Sequence, residues 1–220
     1  MSLPIHVLLL ALITGIAIML CLLCRRSPSR ARPIRLALAY AIAANELIWW
    51  TFRYCHEGIR LSNLPLQLCD VTLWAVVAAC MVPRRLIVEF AYFAGMAGAG
   101  MALLTPDLWE PWPSYPAIYF FVAHGGIVIG AAVLVFGDIY PIKPNSMWRA
   151  FVLLIAYASI VGVVNEMAGT NYMYLCRKPG GGSVLDFLGP WPTYLAGGAI
   201  AALAMFAVLS VPLRMGPART

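Results

Sequence analysis

The chain has 220 residues, of which 62% are hydrophobic and only 11% charged, with a mean hydropathy of +0.84. Soluble domains are nearer half apolar and a quarter charged, so this composition belongs in a bilayer and leaves no stretch for a separate water-soluble domain. The formal charge of +6 does not signal nucleic acid, because the basic residues lie in short connections between apolar runs, where they report topology.

A helix needs about 20 apolar residues to cross a hydrocarbon core. Residues 3–24 form the first such run. No basic residue precedes it, and Arg25 and Arg26 follow it, the reverse of a cleavable signal, so it is expected to remain as a helix. Pro28 and Pro33 bracket the first loop, and residues 33–54 form the second span. Residues 64–82 form the third, which Pro83 separates from the fourth, 86–104. Pro111, Pro113 and Pro116 mark the next connection, before the fifth span at 115–136. The sixth is 147–167. A flexible stretch from Lys178 through Gly180, Gly181 and Gly182 to Ser183 leads to the seventh, 184–211. Small residues recur at close-packing spacing, Gly95 with Ala99, Ala94 with Gly98 and Gly126 with Gly130, which reads as tight helix contact.

The basic residues set the orientation. Arg25, Arg26, Arg30, Arg32, Arg35, Arg84, Arg85, Lys143, Arg149, Arg214 and Arg219 fall on one side, and only Arg53, Arg60, Arg177 and Lys178 on the other. The richer side is cytoplasmic. Residues 1–220 therefore read as one all-α domain of seven transmembrane helices, amino terminus outside and carboxyl terminus in the cytoplasm. The expected location is a plasma membrane, the bacterial inner membrane.

Charges within hydrocarbon cost about 2.5–3.5 kcal/mol each at the centre, so each needs a reason. Glu46, beside Asn45, lies about 20 Å along the second span from its cytoplasmic end, and His124 about 13 Å below the outer start of the fifth. Gln67, Cys69 and Asp70 occupy the first turns of the third span. Asn165 and Glu166 close the sixth, and Asp186 opens the seventh. All share the outer half of the membrane. Glu89 and Asp138 sit at cytoplasmic helix ends and read as ordinary interfacial charge. The outer cluster has two readings: polar glue within the bundle, or a functional pocket, which intramembrane ionisable groups commonly mark.

Cys69 and His124 supply the minimum for thiolate chemistry, an imidazole taking the thiol proton. Asn63 as cap and Pro65 in the first turn would put Cys69 near a helix N-terminus, whose dipole favours a thiolate. Asp70 opposes this unless it orients His124 or meets a basic group. Arg177 and Lys178 stand near the outer helix ends, either to bind an anionic headgroup or simply solvated. Cys55 and Cys176 fall in outer loops and are open to pairing in an oxidising compartment. With one deep histidine and no HExxH or paired CxxC motif, no metal and no cofactor is assigned.

Several runs are familiar in combination: Leu64-Pro65-Leu66-Gln67-Leu68-Cys69-Asp70, Leu103-Leu104-Thr105-Pro106-Asp107, His124-Gly125-Gly126, Gly169-Thr170-Asn171-Tyr172-Met173-Tyr174-Leu175, and Leu185-Asp186-Phe187-Leu188-Gly189-Pro190-Trp191-Pro192. Through them the chain resembles the bacterial YwaF-like family of integral membrane proteins, whose superfamily includes a vertebrate acyltransferase that builds ether phospholipids. The resemblance implies Cys69 as nucleophile and His124 as base, with a phospholipid or lysophospholipid as substrate. Glu46, Gln67, Asp70, Glu166, Asn171 and Asp186 would line or tune the pocket. A transporter or small-molecule receptor with a polar pocket is the alternative; no lysine lies in a span, which excludes a retinal Schiff base. No oligomeric state is assigned.

Overall fold

The computed structural model describes residues 1–180 and 184–215. Gly181, Gly182 and Ser183 of the expected flexible loop, and Arg219 of the expected cytoplasmic set, lie outside the described residues. Every regular element among the described residues is helical. The long ones are α1 (Leu3–Arg26), α2 (Pro28–Glu57), α3 (Leu68–Met81), α4 (Arg85–Leu104), α5 (Tyr115–Phe136), α6 (Ser146–Ala168) and α7 (Thr193–Met215). Five of them, α1, α4, α5, α6 and α7, are long and apolar enough to cross a membrane. Helix α2 has 30 residues but is diluted by Asn45, Glu46 and its arginines. Helix α3 has 14 residues, a rise of about 21 Å against a core of about 30 Å.

Three boundaries differ from the expected ones, each at a proline. Helix α2 starts at Pro28, where the missing N–H is harmless in the first turn, and Pro33 lies inside it, so the first connection shrinks to Ser27. Helix α3 starts at Leu68, not residue 64. Leu64, held extended before Pro65, cannot begin a helix, and Asn63 ends a separate 3-10 turn, Leu61–Asn63. The N-cap is Gln67, in a capping box with Asp70. The last span divides into a 3-10 turn, Val184–Leu188, and α7; Pro190 and Pro192 lie between them.

Helix α5 is the axis of the bundle, packing against α1, α2, α3 and α4, with 67% of its apolar window buried. Helices α1, α6 and α7 bury 17% of theirs and form the flanks. The small residues make the central contacts possible. A Cβ on Gly126 would come within 3.0 Å of Ile42 Cγ1 of α2, and one on Gly130 would collide with Val76 of α3. One π turn, Ala91–Gly95, interrupts α4 at its most buried stretch. There Tyr92 donates to the Leu209 carbonyl of α7 at 2.9 Å.

The end of the bundle expected to be cytoplasmic is tied by charge. Arg35 donates to the carbonyls of Cys80 and Met81 at the end of α3, where a cation suits the helix dipole. Glu89, expected as ordinary interfacial charge, is instead buried at 1% exposure. It accepts from Ser146 Oγ at 2.8 Å, from Arg149 Nε at 2.8 Å and Nη2 at 2.5 Å, and from Arg85 at 3.2 Å. This fork binds α4 to α6. Asp138 pairs with Arg25 at 3.5 Å.

Candidate functional site

The polar residues expected in the outer half divide into two groups. The deeper one centres on Glu46, fully buried on α2. Its Oε1 accepts from Trp50 Nε1 at 2.7 Å and its Oε2 from Tyr119 Oη of α5 at 2.6 Å. Tyr119 stacks on Trp49 with centroids 4.2 Å apart, and Trp109 also stacks on Trp49 at 5.6 Å. A buried carboxylate with two donors and an aromatic wall is the arrangement that low dielectric demands. Cys69 lies within electrostatic range of Glu46, Asp70 and Tyr119.

Asp70 is occupied locally, accepting from the Gln67 N–H at 2.9 Å. It caps its own helix, and no hydrogen bond runs from it to His124. His124 is half-buried on α5, its Nδ1 2.7 Å from the Phe120 carbonyl and its ring 4.3 Å from that of Phe120. A carbonyl can only accept, so Nδ1 carries the proton and Nε2 of the neutral ring keeps the lone pair.

No hydrogen bond joins Cys69 to His124, and each stands one turn from a common helix junction. Helices α3, α4 and α5 meet where a Cβ on Gly95 would lie 3.0 Å from Ile127 Cγ2 and 3.7 Å from Thr72 Cβ. Cys69 stands one turn from Thr72, which donates to its carbonyl at 3.2 Å. His124 stands one turn from Ile127, in the same chain direction. Tyr119 is five residues from His124, about 140° around the helix, so the Glu46 network and the imidazole occupy different faces of α5.

The shallower group is a knot of loops. Helix α6 ends at Gly169 in the left-handed conformation. Asn165, at 1% exposure, then organises the following turn: its Oδ1 accepts from Thr170 Oγ1 at 2.9 Å and Tyr172 N at 2.8 Å, and its Nδ2 donates to the Tyr172 carbonyl at 3.0 Å. Tyr172 Oη donates to the Leu61 carbonyl at 2.5 Å and accepts from Leu64 N at 2.7 Å. Burial pushes this phenol above its ordinary range. Gln67 Oε1 accepts from Met173 N at 2.9 Å. Met173 and Tyr174 both have positive φ, 56° and 53°, a conformation that only such a web of contacts sustains. Asn171 holds the Cys176 and Arg177 backbone, accepting at 3.0 and 3.1 Å and donating to the Arg177 carbonyl at 2.8 Å.

The remaining candidates lie around this knot. Asp186 sits in the 3-10 turn ahead of α7, not in the helix, and pairs with Lys178 at 3.6 Å. Lys178 also rests 5.6 Å from the Tyr194 ring. Arg177 and Glu166 are exposed, and Cys55 and Cys176 are both free thiols. Beneath the knot a cavity of about 570 Å³ opens between α6 and α7, apolar apart from Ser159, Glu166, Cys176 and Tyr194. Leu68, the chain neighbour of Cys69, is part of its wall. Sequence reasoning missed Tyr119, Trp50 and Tyr172 as partners, because an aromatic in an apolar run carries no mark of the hydroxyl or indole bond it will make. Asn165 was visible only as a polar residue at a helix end.

An all-helical chain with five membrane-length apolar helices, and with deep charges satisfied internally, is a multi-pass integral membrane protein. This one belongs to the TMEM164 family, whose sequence model matches residues 1–210. No match was found among curated proteins, and none among solved structures.

Proposed function

We propose that the protein is a lipid acyltransferase or lipid hydrolase of a bacterial inner membrane, a YwaF-like relative of the ether-phospholipid acyltransferase, with Cys69 as nucleophile and His124 as base. In this reading α2 and α3 span with the other five helices, the amino terminus is outside, and the site lies in the outer half of the bilayer. What supports it is that Cys69 and His124 each stand one turn from the Thr72–Gly95–Ile127 junction, where α3, α4 and α5 meet. Gly95, without a side chain, keeps the helices close there. The Nδ1–H bond to Phe120 supports the same reading, because it leaves Nε2 free to accept a proton.

In the reaction, Nε2 takes the Sγ proton and the sulfur attacks the ester carbonyl of a phospholipid. The C–S bond forms, the ester C–O bond breaks, and the leaving alkoxide takes the proton from the imidazolium, releasing a lysophospholipid. The hydroxyl of a second lysophospholipid, or water, then gives its proton to Nε2 and attacks the thioester, restoring the thiol. Glu46 keeps Tyr119 and Trp50 in register beside Cys69. Asp70 and Gln67 fix the start of α3, and Asn171 fixes the outer rim, so these are positioning residues.

The test uses the full chain in nanodiscs containing a phospholipid with an alkyne-tagged acyl chain. A hydroxylamine-labile adduct on Cys69 is expected, lost in Cys69→Ser and formed about 10²–10⁴-fold more slowly in His124→Gln. Adduct that persists in Cys69→Ser overturns the reading. Substrate uptake by proteoliposomes that survives Cys69→Ala would favour a transporter.

A further inference from the structure

The cavity between α6 and α7 differs from the central helix contacts of the bundle in one respect: its glycines face empty space. At Gly125, Gly126 and Gly130 an added Cβ would press on Ile13, Ile42 or Val76, as glycines at packed helix interfaces do. At Gly198 of α7 it would meet nothing within 4 Å, and at Gly162 of α6 only Leu175 Cδ1 at 4.0 Å. Both glycines line the cavity. Here the small residues keep a space open rather than bring two backbones together. At about 570 Å³ the space falls within the range of about 300–1,000 Å³ typical of ligand sites.

Its surroundings restrict the occupant. The cavity lies between two of the three flanking helices that bury least of their apolar surface, and Ile155 on its wall is 40% exposed on the flank. The knot around Tyr172–Tyr174 and Trp191 closes the outer end, Trp191 donating to the Leu175 carbonyl at 3.1 Å. Entry is therefore from the side, where a bilayer offers hydrocarbon. Glu166 is the carboxylate on the cavity wall. It takes part in none of the ion pairs among the described residues, whereas the neighbouring Lys178 is matched by Asp186. A lipid whose chain fills the cavity thus meets an unmatched negative charge at the level of its headgroup.

We infer that the α6–α7 cleft is a lateral binding site for one acyl chain of a membrane phospholipid, with room set by Gly162 and Gly198 and with Glu166 at its mouth disfavouring anionic headgroups. The inference rests on the lipid-modifying reading above for its purpose: Leu68 of the cleft wall adjoins Cys69, so a chain lodged in the cleft brings its lipid to the thiol. The binding itself needs no chemistry. That separates the two claims.

The test is photocrosslinking of the full chain in phosphatidylcholine nanodiscs with a trace phospholipid carrying a diazirine in one acyl chain, the adducts mapped by mass spectrometry. Adducts are expected on α6 and α7 residues of the cleft. They should fall at least about fivefold in Gly198→Leu, which fills the space, and by less in Gly198→Ala or Gly162→Ala. They should be unchanged in Ile200→Phe, whose parent residue is 70% exposed on the outer flank of α7. With a phosphatidylglycerol probe of the same chain, labelling should be weaker and should rise in Glu166→Gln. The two alanine variants keep the result readable where the leucine does not fold. Adducts spread over all flanking helices, or indifferent to every glycine variant, overturn the inference. Cleft adducts without a thioester on Cys69 would leave this site standing and remove the proposed chemistry. A thioester with diffuse adducts would do the reverse.

Discussion

Tyr119 of α5 donates its hydroxyl to Glu46 of α2 across 2.6 Å of fully buried interior, and Trp50 occupies the carboxylate's other oxygen at 2.7 Å. Removing one partner of such a group leaves the other with its desolvation cost and no compensation. Tyr119→Phe should therefore lower stability by about 1–3 kcal/mol. Glu46→Gln keeps an acceptor for Trp50 and removes the charge, so the double variant should cost less than the two single ones summed. A double-mutant cycle on thermal unfolding in detergent measures this coupling, and strict additivity would contradict the network.

The bundle itself was legible in the chain because spans are written in a coarse code. Twenty apolar residues between prolines and basic loops need no tertiary information. Where the reading slipped, a proline was ambiguous: Pro33 sits inside α2 and Pro65 outside α3, and only neighbours decide which. The polar residues show the same limit. Glu46, Cys69 and His124 announce themselves by being costly in hydrocarbon. What each touches depends on helix rotation, which a run of apolar residues with little preferred face leaves unspecified. Asp70 has the chemistry to orient His124 but caps α3 instead, because a carboxylate three residues after an N-cap finds a backbone N–H first.

Glu89 carries the largest single stability prediction. It is buried among Ser146, Arg149 and Arg85, and joins α4 to α6. Breaking a buried pair by deleting one partner costs about 3–5 kcal/mol, since the other charge is left unmatched. Glu89→Ala should therefore unfold at a markedly lower temperature than Arg85→Ala, whose side chain is 59% exposed and whose pair is correspondingly weak. Equal losses in the two variants would place Glu89 at the surface.

Gly130 tests the packing of the central helix. Its added methyl would run into Val76 Cγ1, with Ile42 Cδ1 3.7 Å away on the other side. Gly130→Ala gains helix propensity but overpacks a three-helix contact, and overpacking costs about 1–3 kcal/mol. A lower unfolding temperature is expected. Val76→Ala in the same chain should restore part of the loss by vacating that volume, which a nonspecific defect would not allow.

Tyr172 makes the outer knot sensitive to alkali. Its hydroxyl donates to the Leu61 carbonyl and accepts from Leu64 N, bridging the segment before α3 to the turn after α6. Burial, foremost among its causes, raises the phenol's ionisation above the ordinary value of about 10. A group whose folded-state pKa is raised stabilises the fold while it stays protonated. The contribution is complete below about pH 10 and is lost as pH climbs toward the folded-state value, where the phenolate can no longer donate to Leu61. The difference in ultraviolet absorbance between wild type and Tyr172→Phe, followed through an alkaline titration, isolates this one ring. Its midpoint should lie above that of a free phenol, and loss of the step should coincide with new tryptic cleavage at Arg60. A midpoint at or below about 10 would mean that the ring is solvated and that the clamp between the two outer segments does not form.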